Sequence, residues 1–276
     1  MNFGDHIAAV VAERRSQVVL GLDPDPARIG PGAARASAFC QAVIAAAGPA
    51  SAACKPQLAC FERFGADGWK AFEEVAQAAS DAGLVVIADA KRGDIGQTAQ
   101  AYAEAFLRDP VDAMTVNPML GTDAARPFLD AAQANDRGLF FLVRTSNPGA
   151  ADLEDLPLAD GRLWHEAVAE LVATWGAATI GTAGLSSVGA VVGATVPERL
   201  VALRQRMPHQ IFLLPGVGAQ GGRPEDLAAA FGGRAAGALV SASRSIIYAG
   251  DPARAAEELR AAVWSAWEVG NAEHRW

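Results

Sequence analysis

Two carboxylates flank one ammonium in the run Asp89-Ala-Lys91-Arg-Gly-Asp94. An apolar, β-branched stretch over 84–88 precedes it and reads as a buried strand. Alternate side chains of a strand share a face, so Asp89 and Lys91 project the same way, a few Å apart. Asp94 falls beyond the turn, where a second carboxylate can face the same ammonium or a neighbouring site. Acids on both sides keep such a lysine protonated. That is wrong for a nucleophilic amine, and such charges are costly to assemble at a strand end unless they do something. The residues also admit plainer readings. Asp89 and Lys91 could form one satisfied ion pair, and Asp94 with Gln97 three residues on matches a helix capping box.

The elements that must position these groups alternate along the whole chain. Strands are expected at 18–22, 51–55, 84–88, 113–116, 139–143, 188–192, 211–214 and 238–240. Helices are expected near 32–47, around Trp69 to Ala79, from Ile95 to Phe106, and at 126–134, 161–175, 197–207 and 224–231. A final helix is capped by Asp251, has Pro252 in its first turn, and is expected to end just before Gly270. An extra helix over 3–14 precedes the first strand. Eight β/α units over 276 residues, 51% of them hydrophobic, favour one (β/α)8 barrel domain spanning 1–276. The strands at 51–55 and 188–192 have the weakest patterns, and losing either would restore an open doubly wound sheet.

In such barrels the loops after the strand C-termini build the site. The unusual polar residues fall there: Asp23 after the first strand, Lys55 after the second, and Asn117 after the fourth. Arg144-Thr-Ser146 follows the fifth, Pro215 and a glycine-rich loop the seventh, and Arg244 the eighth. Only three lysines occur, Lys55, Lys70 and Lys91, and two of them lie at this rim. The loop Gly216-Val-Gly218-Ala-Gln220-Gly221 matches G-x-G-x-x-G, but lacks the acidic residue about 20 positions on that would hold a dinucleotide ribose. Glycines there, beside Arg244, suit a phosphate better, because backbone N–H groups can close on an oxyanion. Ser146 is also an ordinary turn residue, and Arg244 could cap carbonyls.

The run Asp89-Ala-Lys91-Arg-Gly-Asp94-Ile95-Gly-Gln-Thr98 resembles the signature of the orotidine 5′-phosphate decarboxylase family. The likeness extends in order from Asp23 to Arg244, and 187–195 resembles its longer branch. It implies a homodimeric (β/α)8 barrel that needs neither metal nor organic cofactor and converts orotidine 5′-monophosphate to UMP and carbon dioxide. Lys91 would be the proton donor, with Asp89 near the departing carboxylate and Lys55 holding Asp89 ionised. Asp94, Ile95 and Thr98 would reach the partner subunit's site. Asp23 would bind a ribose hydroxyl, Ser146 the pyrimidine edge, and Gln220 and Arg244 the phosphate under a loop marked by Pro215. Metal-dependent keto-gulonate-phosphate decarboxylases and hexulose-phosphate synthases share the Asp-x-Lys-x-x-Asp core. They want an acidic ligand after an earlier strand, where this chain has Lys55. A Schiff-base aldolase and a non-catalytic nucleotide sensor are further rivals.

The net charge of −8 and the lack of a basic cluster argue against a nucleic-acid surface. The uncharged stretch 177–196 is long enough for a membrane span, yet its glycines and hydroxyls argue for strand and turn. The first six residues lack the pattern of a signal peptide, and Cys40, Cys54 and Cys60 have no redox or metal spacing. A cytoplasmic protein with reduced thiols is expected. His6, His165, His209 and His274 sit in polar settings away from every motif, and no catalytic role is expected of them.

Overall fold

The computed structural model describes residues 1–195, 197–218 and 221–273. Its parallel strands are β1 (Val18–Leu22), β2 (Ala53–Pro56), β3 (Val85–Arg92), β4 (Ala113–Val116), β5 (Gly138–Arg144), β6 (Val188–Val192), β7 (Phe212–Pro215) and β8 (Ala238–Ala242). They pair in chain order, and β8 closes back on β1. With helices between the strands, this is a (β/α)8 barrel, and the open sheet is excluded. Both weakly patterned strands form, β2 beginning two residues later than expected.

Strand alternation divides the core into two layers. Val18, Leu20, Cys54, Val86 and Ala88 face outward against the helices. Val19, Ala53, Val85, Ile87, Ala113, Phe140 and Leu213 fill the barrel interior. Carried to the strand ends, the same two-residue period turns Lys55, Asp89 and Thr115 inward at one mouth. The other mouth is plugged by the helix Phe3–Arg14. Its Phe3, Ile7 and Val11 join the interior cluster, and Phe3 meets Phe140 edge-on at 5.9 Å. Access to the interior therefore lies at the strand C-termini.

Of the stretch 177–196, residues 177–195 are described and contribute a short 3-10 turn and β6, and no helix among the described residues is long and apolar enough to cross a membrane. Two local readings are corrected. The last helix does not end before Gly270 but spans Pro252–Glu273. Gly270 lies buried inside it, where a Cβ would stand 2.7 Å from the Ala228 Cβ. The glycine admits close packing instead of ending the helix. Asp94 does not cap the helix Gly96–Phe106 either. Ile95 occupies the N-cap, and its N–H donates to the Asp94 carboxylate at 2.8 Å.

Gly270→Val should lower stability by about 1–3 kcal/mol through overpacking. Gly250→Ala, whose Cβ would meet nothing, should leave the urea midpoint in place. Equal midpoints for the two variants would contradict this account of the helix contact.

Candidate active site

At the open mouth, a cavity of about 400 Å³ holds Asp23, Lys55, Asp89, Lys91, Ser146 and Pro215 in its wall, with Leu142, Val191 and Leu213 supplying apolar surface. Six residues expected from the sequence are thus brought together. Asp89 is their centre. It is 5% exposed, and its two oxygens accept from four donors. Oδ1 takes Lys91 Nζ at 2.5 Å and the Thr115 hydroxyl at 3.0 Å. Oδ2 takes Lys55 Nζ and, at 3.0 Å, Gln57 Nε2.

The electrostatics follow from that geometry. Burial pushes the Asp89 carboxyl up, but the ammonium groups of Lys55 and Lys91 outweigh it and hold the carboxyl far below its ordinary range. Lys55 is the reciprocal case: burial favours its neutral amine, while Asp89 and then Asp23 raise its pKa above the usual value. Both groups are therefore charged at neutral pH. Lys55 is enclosed, whereas Lys91 has 44% of its side chain exposed and presents its ammonium to the cavity.

The backbone around Lys91 is irregular. Its φ is 48°, in the left-handed region that side chains with a Cβ rarely enter, and the β3–β4 register shifts between Ala88 and Arg92. The turn is clamped on both sides. Lys91 N–H donates to the Thr115 hydroxyl at 2.9 Å, and Asn117 N–H donates to the Arg92 carbonyl at 2.7 Å. The Arg92 guanidinium pairs with Glu62 and lies over the Tyr102 ring at 5.4 Å.

Asp23 is half-buried, and its enclosed Oδ1 has no hydrogen-bond donor among the described residues. That leaves an acceptor for a ligand hydroxyl. Its backbone is fixed by Tyr248, whose hydroxyl donates to the Asp23 carbonyl at 3.2 Å and accepts the Asp25 N–H at 2.7 Å. Ser146 sits in a turn tied down by Glu154, which accepts the Thr145 N–H at 2.7 Å and its hydroxyl at 3.0 Å. Gly193 lets β6 approach that turn, since a Cβ there would lie 2.9 Å from the Ser146 Cα. Arg144 supports the same loop through paired bonds to Asp155 at 3.0 and 2.9 Å, and the Asn117 side chain accepts the Met119 N–H. His165 is buried, contrary to the polar setting expected, with Nδ1 2.8 Å from the Glu154 carbonyl.

Other expected residues lie outside this cavity. Ile95 is 60% exposed, and Asp94 and Thr98 stand beside it on the outer lip. Arg244 is exposed at the start of the short helix Arg244–Ile247. The adjoining β7 loop has Gly216, Gly218 and Gly221 at φ 107°, 77° and 91°, each strained for any other residue. Gln220 lies outside the described residues. Gln57 and Thr115 belong to no motif that marks them in the sequence. The inward period signals both, since Gln57 follows Lys55 and Thr115 follows Ala113 by two residues.

Comparison with known proteins identifies the family of this chain. Residues 16–259 match the orotidine 5′-phosphate decarboxylase / HUMPS family. The chain is 42% identical to the orotidine 5′-phosphate decarboxylase of Rhodopirellula baltica over 270 residues, covering 90% of this chain and 89% of that one. It is 45% identical to the Haloarcula marismortui orotidine 5′-phosphate decarboxylase, covering 92% and 89%. The solved Leishmania donovani OMP decarboxylase superposes with a TM-score of 0.85 at 38% identity, over 97% of this chain and 100% of that one. The chain belongs to the orotidine 5′-phosphate decarboxylase / HUMPS family.

Proposed function

We propose that this protein decarboxylates orotidine 5′-monophosphate to UMP and carbon dioxide, the last step of making UMP de novo, as one barrel domain in the cytoplasm. The observation that carries the reading is the ionised Asp89 held between Lys55 and Lys91 at the open mouth. In the reaction the C6–carboxylate bond breaks heterolytically, carbon dioxide leaves, and the electron pair stays in the ring plane at C6. The π system cannot delocalise it. Lys91 stabilises that pair as an ammonium, then gives it a proton and becomes a neutral amine that is reprotonated from solvent. Asp89 faces the departing carboxylate, and that repulsion ends as the carbon dioxide leaves.

Asp23 serves the ribose, Ser146 the pyrimidine edge, and Arg244 with Gln220 and the β7 loop the phosphate. Pro215 begins the loop that closes over the nucleotide, so phosphate contacts hold the charge-ordered site together. A homodimer completes the array, with Asp94, Ile95 and Thr98 entering the partner's cavity. Large apolar side chains on the same lip support this: Ile95, Met119, Leu120 and Leu153 are 60%, 60%, 52% and 58% exposed. The metal-dependent reading shared by the HUMPS side of the family is disfavoured because Asp89 already has both oxygens engaged by Lys55, Gln57, Thr115 and Lys91. A cation would have to displace Lys55, which stands at the end of β2 where those metal enzymes want an acid.

Protein treated with EDTA and mixed with orotidylate should show the absorbance change of UMP formation at an undiminished rate. Loss of that rate on chelation would favour the metal enzymes. Lys91→Ala should lower turnover by at least about 1,000-fold while UMP binding persists, and normal turnover by this variant would end the mechanism. Mixing Asp94→Asn and Lys91→Ala subunits should restore some wild-type sites. No recovery after proven subunit exchange would count against a shared site.

A further inference from the structure

Thr115 carries no charge, yet it touches both working members of the array. Its side chain is buried at the inner face of β4, and its hydroxyl makes two bonds. The ionised Asp89 can only accept, so the single hydroxyl proton is committed to Asp89 Oδ1 at 3.0 Å. The lone pair then faces the Lys91 N–H at 2.9 Å. These bonds close a ring, because Lys91 Nζ returns to the same Oδ1 at 2.5 Å.

We propose that Thr115 is a positioning residue that holds the Lys91 backbone in its left-handed conformation and thereby aims its ammonium into the cavity. The inference rests on the decarboxylase reading above and extends it to a residue outside the charge array. The β3–β4 register shifts between Ala88 and Arg92, and Lys91 lies within that shift, its N–H turned to a side chain of the facing strand. Thr115 supplies the acceptor there. A residue with a Cβ keeps a φ of 48° only when its surroundings compensate, and this bond is that compensation. Without the hydroxyl, the Lys91 amide loses its acceptor, Asp89 loses one of four donors, and the lysine relaxes toward ordinary strand geometry.

Thr115→Val keeps the volume and removes both bonds, while Thr115→Ser keeps them. Steady-state kinetics on orotidylate, beside wild type, should show kcat lower by about 100-fold for valine, the scale of a misaimed catalytic group. KM should stay within about threefold, and serine should restore kcat to within about tenfold of wild type. A folded valine variant with unchanged kcat, or a loss carried by KM alone, overturns the proposal. If valine prevents folding, Thr115→Ala is read against the same thresholds. A crystal structure of the variant reads the geometry independently of turnover. Lys91 should leave positive φ, and a φ still near 48° with the ammonium unmoved overturns the inference. Wild-type protein inert toward orotidylate would sink the decarboxylase reading alone, with the crystal still deciding the role of Thr115.

Discussion

One buried carboxylate holding two ammonium groups apart is the constraint on which the rest of this molecule turns. Asp89 is nearly sealed from water, and a lone carboxylate there would take up a proton. It stays charged because Lys55 and Lys91 outweigh the loss of hydration, while Gln57 and Thr115 satisfy its remaining lone pairs. Removing one partner of such a buried pair typically costs about 3–5 kcal/mol, since the survivor is left without compensation. The array is therefore rigid before any ligand arrives. That is the condition for fixed charges to act on a ligand without reorganising first.

The barrel exists in a form that allows this. Its interior is closed at the bottom by Phe3, Ile7 and Val11, so the inward-facing positions at the other end become a solvent-facing cup instead of more core. Strands β2 to β7 each deliver one or two side chains to that cup, and short-range clamps fix the loops that carry the others. Glu154 and the Arg144–Asp155 pair hold the Ser146 turn, and Tyr248 holds the Asp23 backbone. These supports are local and polar, which is why they can set direction without being part of the hydrophobic core.

Much of this was legible in the chain. The alternation of elements implied the barrel, the strand period placed Asp89 and Lys91 on one face, and the rule that barrel sites lie at strand C-termini placed Lys55 at the same rim. What stayed hidden depends on geometry that residue types do not encode. The left-handed Lys91 and the shifted β3–β4 register follow from clamps made by distant residues, so nothing in 89–94 announces them. Thr115 and Gln57 look like ordinary strand residues until their facing partner is known. Gly270 reads as a helix stop because its packing partner, Ala228, lies on another element. Asp94, Ile95 and Thr98 lie outside the cavity that gathers Asp89 and Lys91, and the short spacing of 89–98 does not announce that separation.

The most direct measurement of the central claim is a ¹³C titration of the Asp89 carboxyl, assigned by comparison with Asp89→Asn. Because the folded pKa is depressed, the stabilisation it carries is complete above the ordinary aspartate value of about 3.9 and drains away only as pH falls through the lower folded value. The Asp89 resonance should therefore stay in its ionised position from neutral pH down to about 4, while exposed carboxyls begin to move. A half-protonated Asp89 at or above that pH would contradict the account, since a neutral acid there could not hold Lys55 charged.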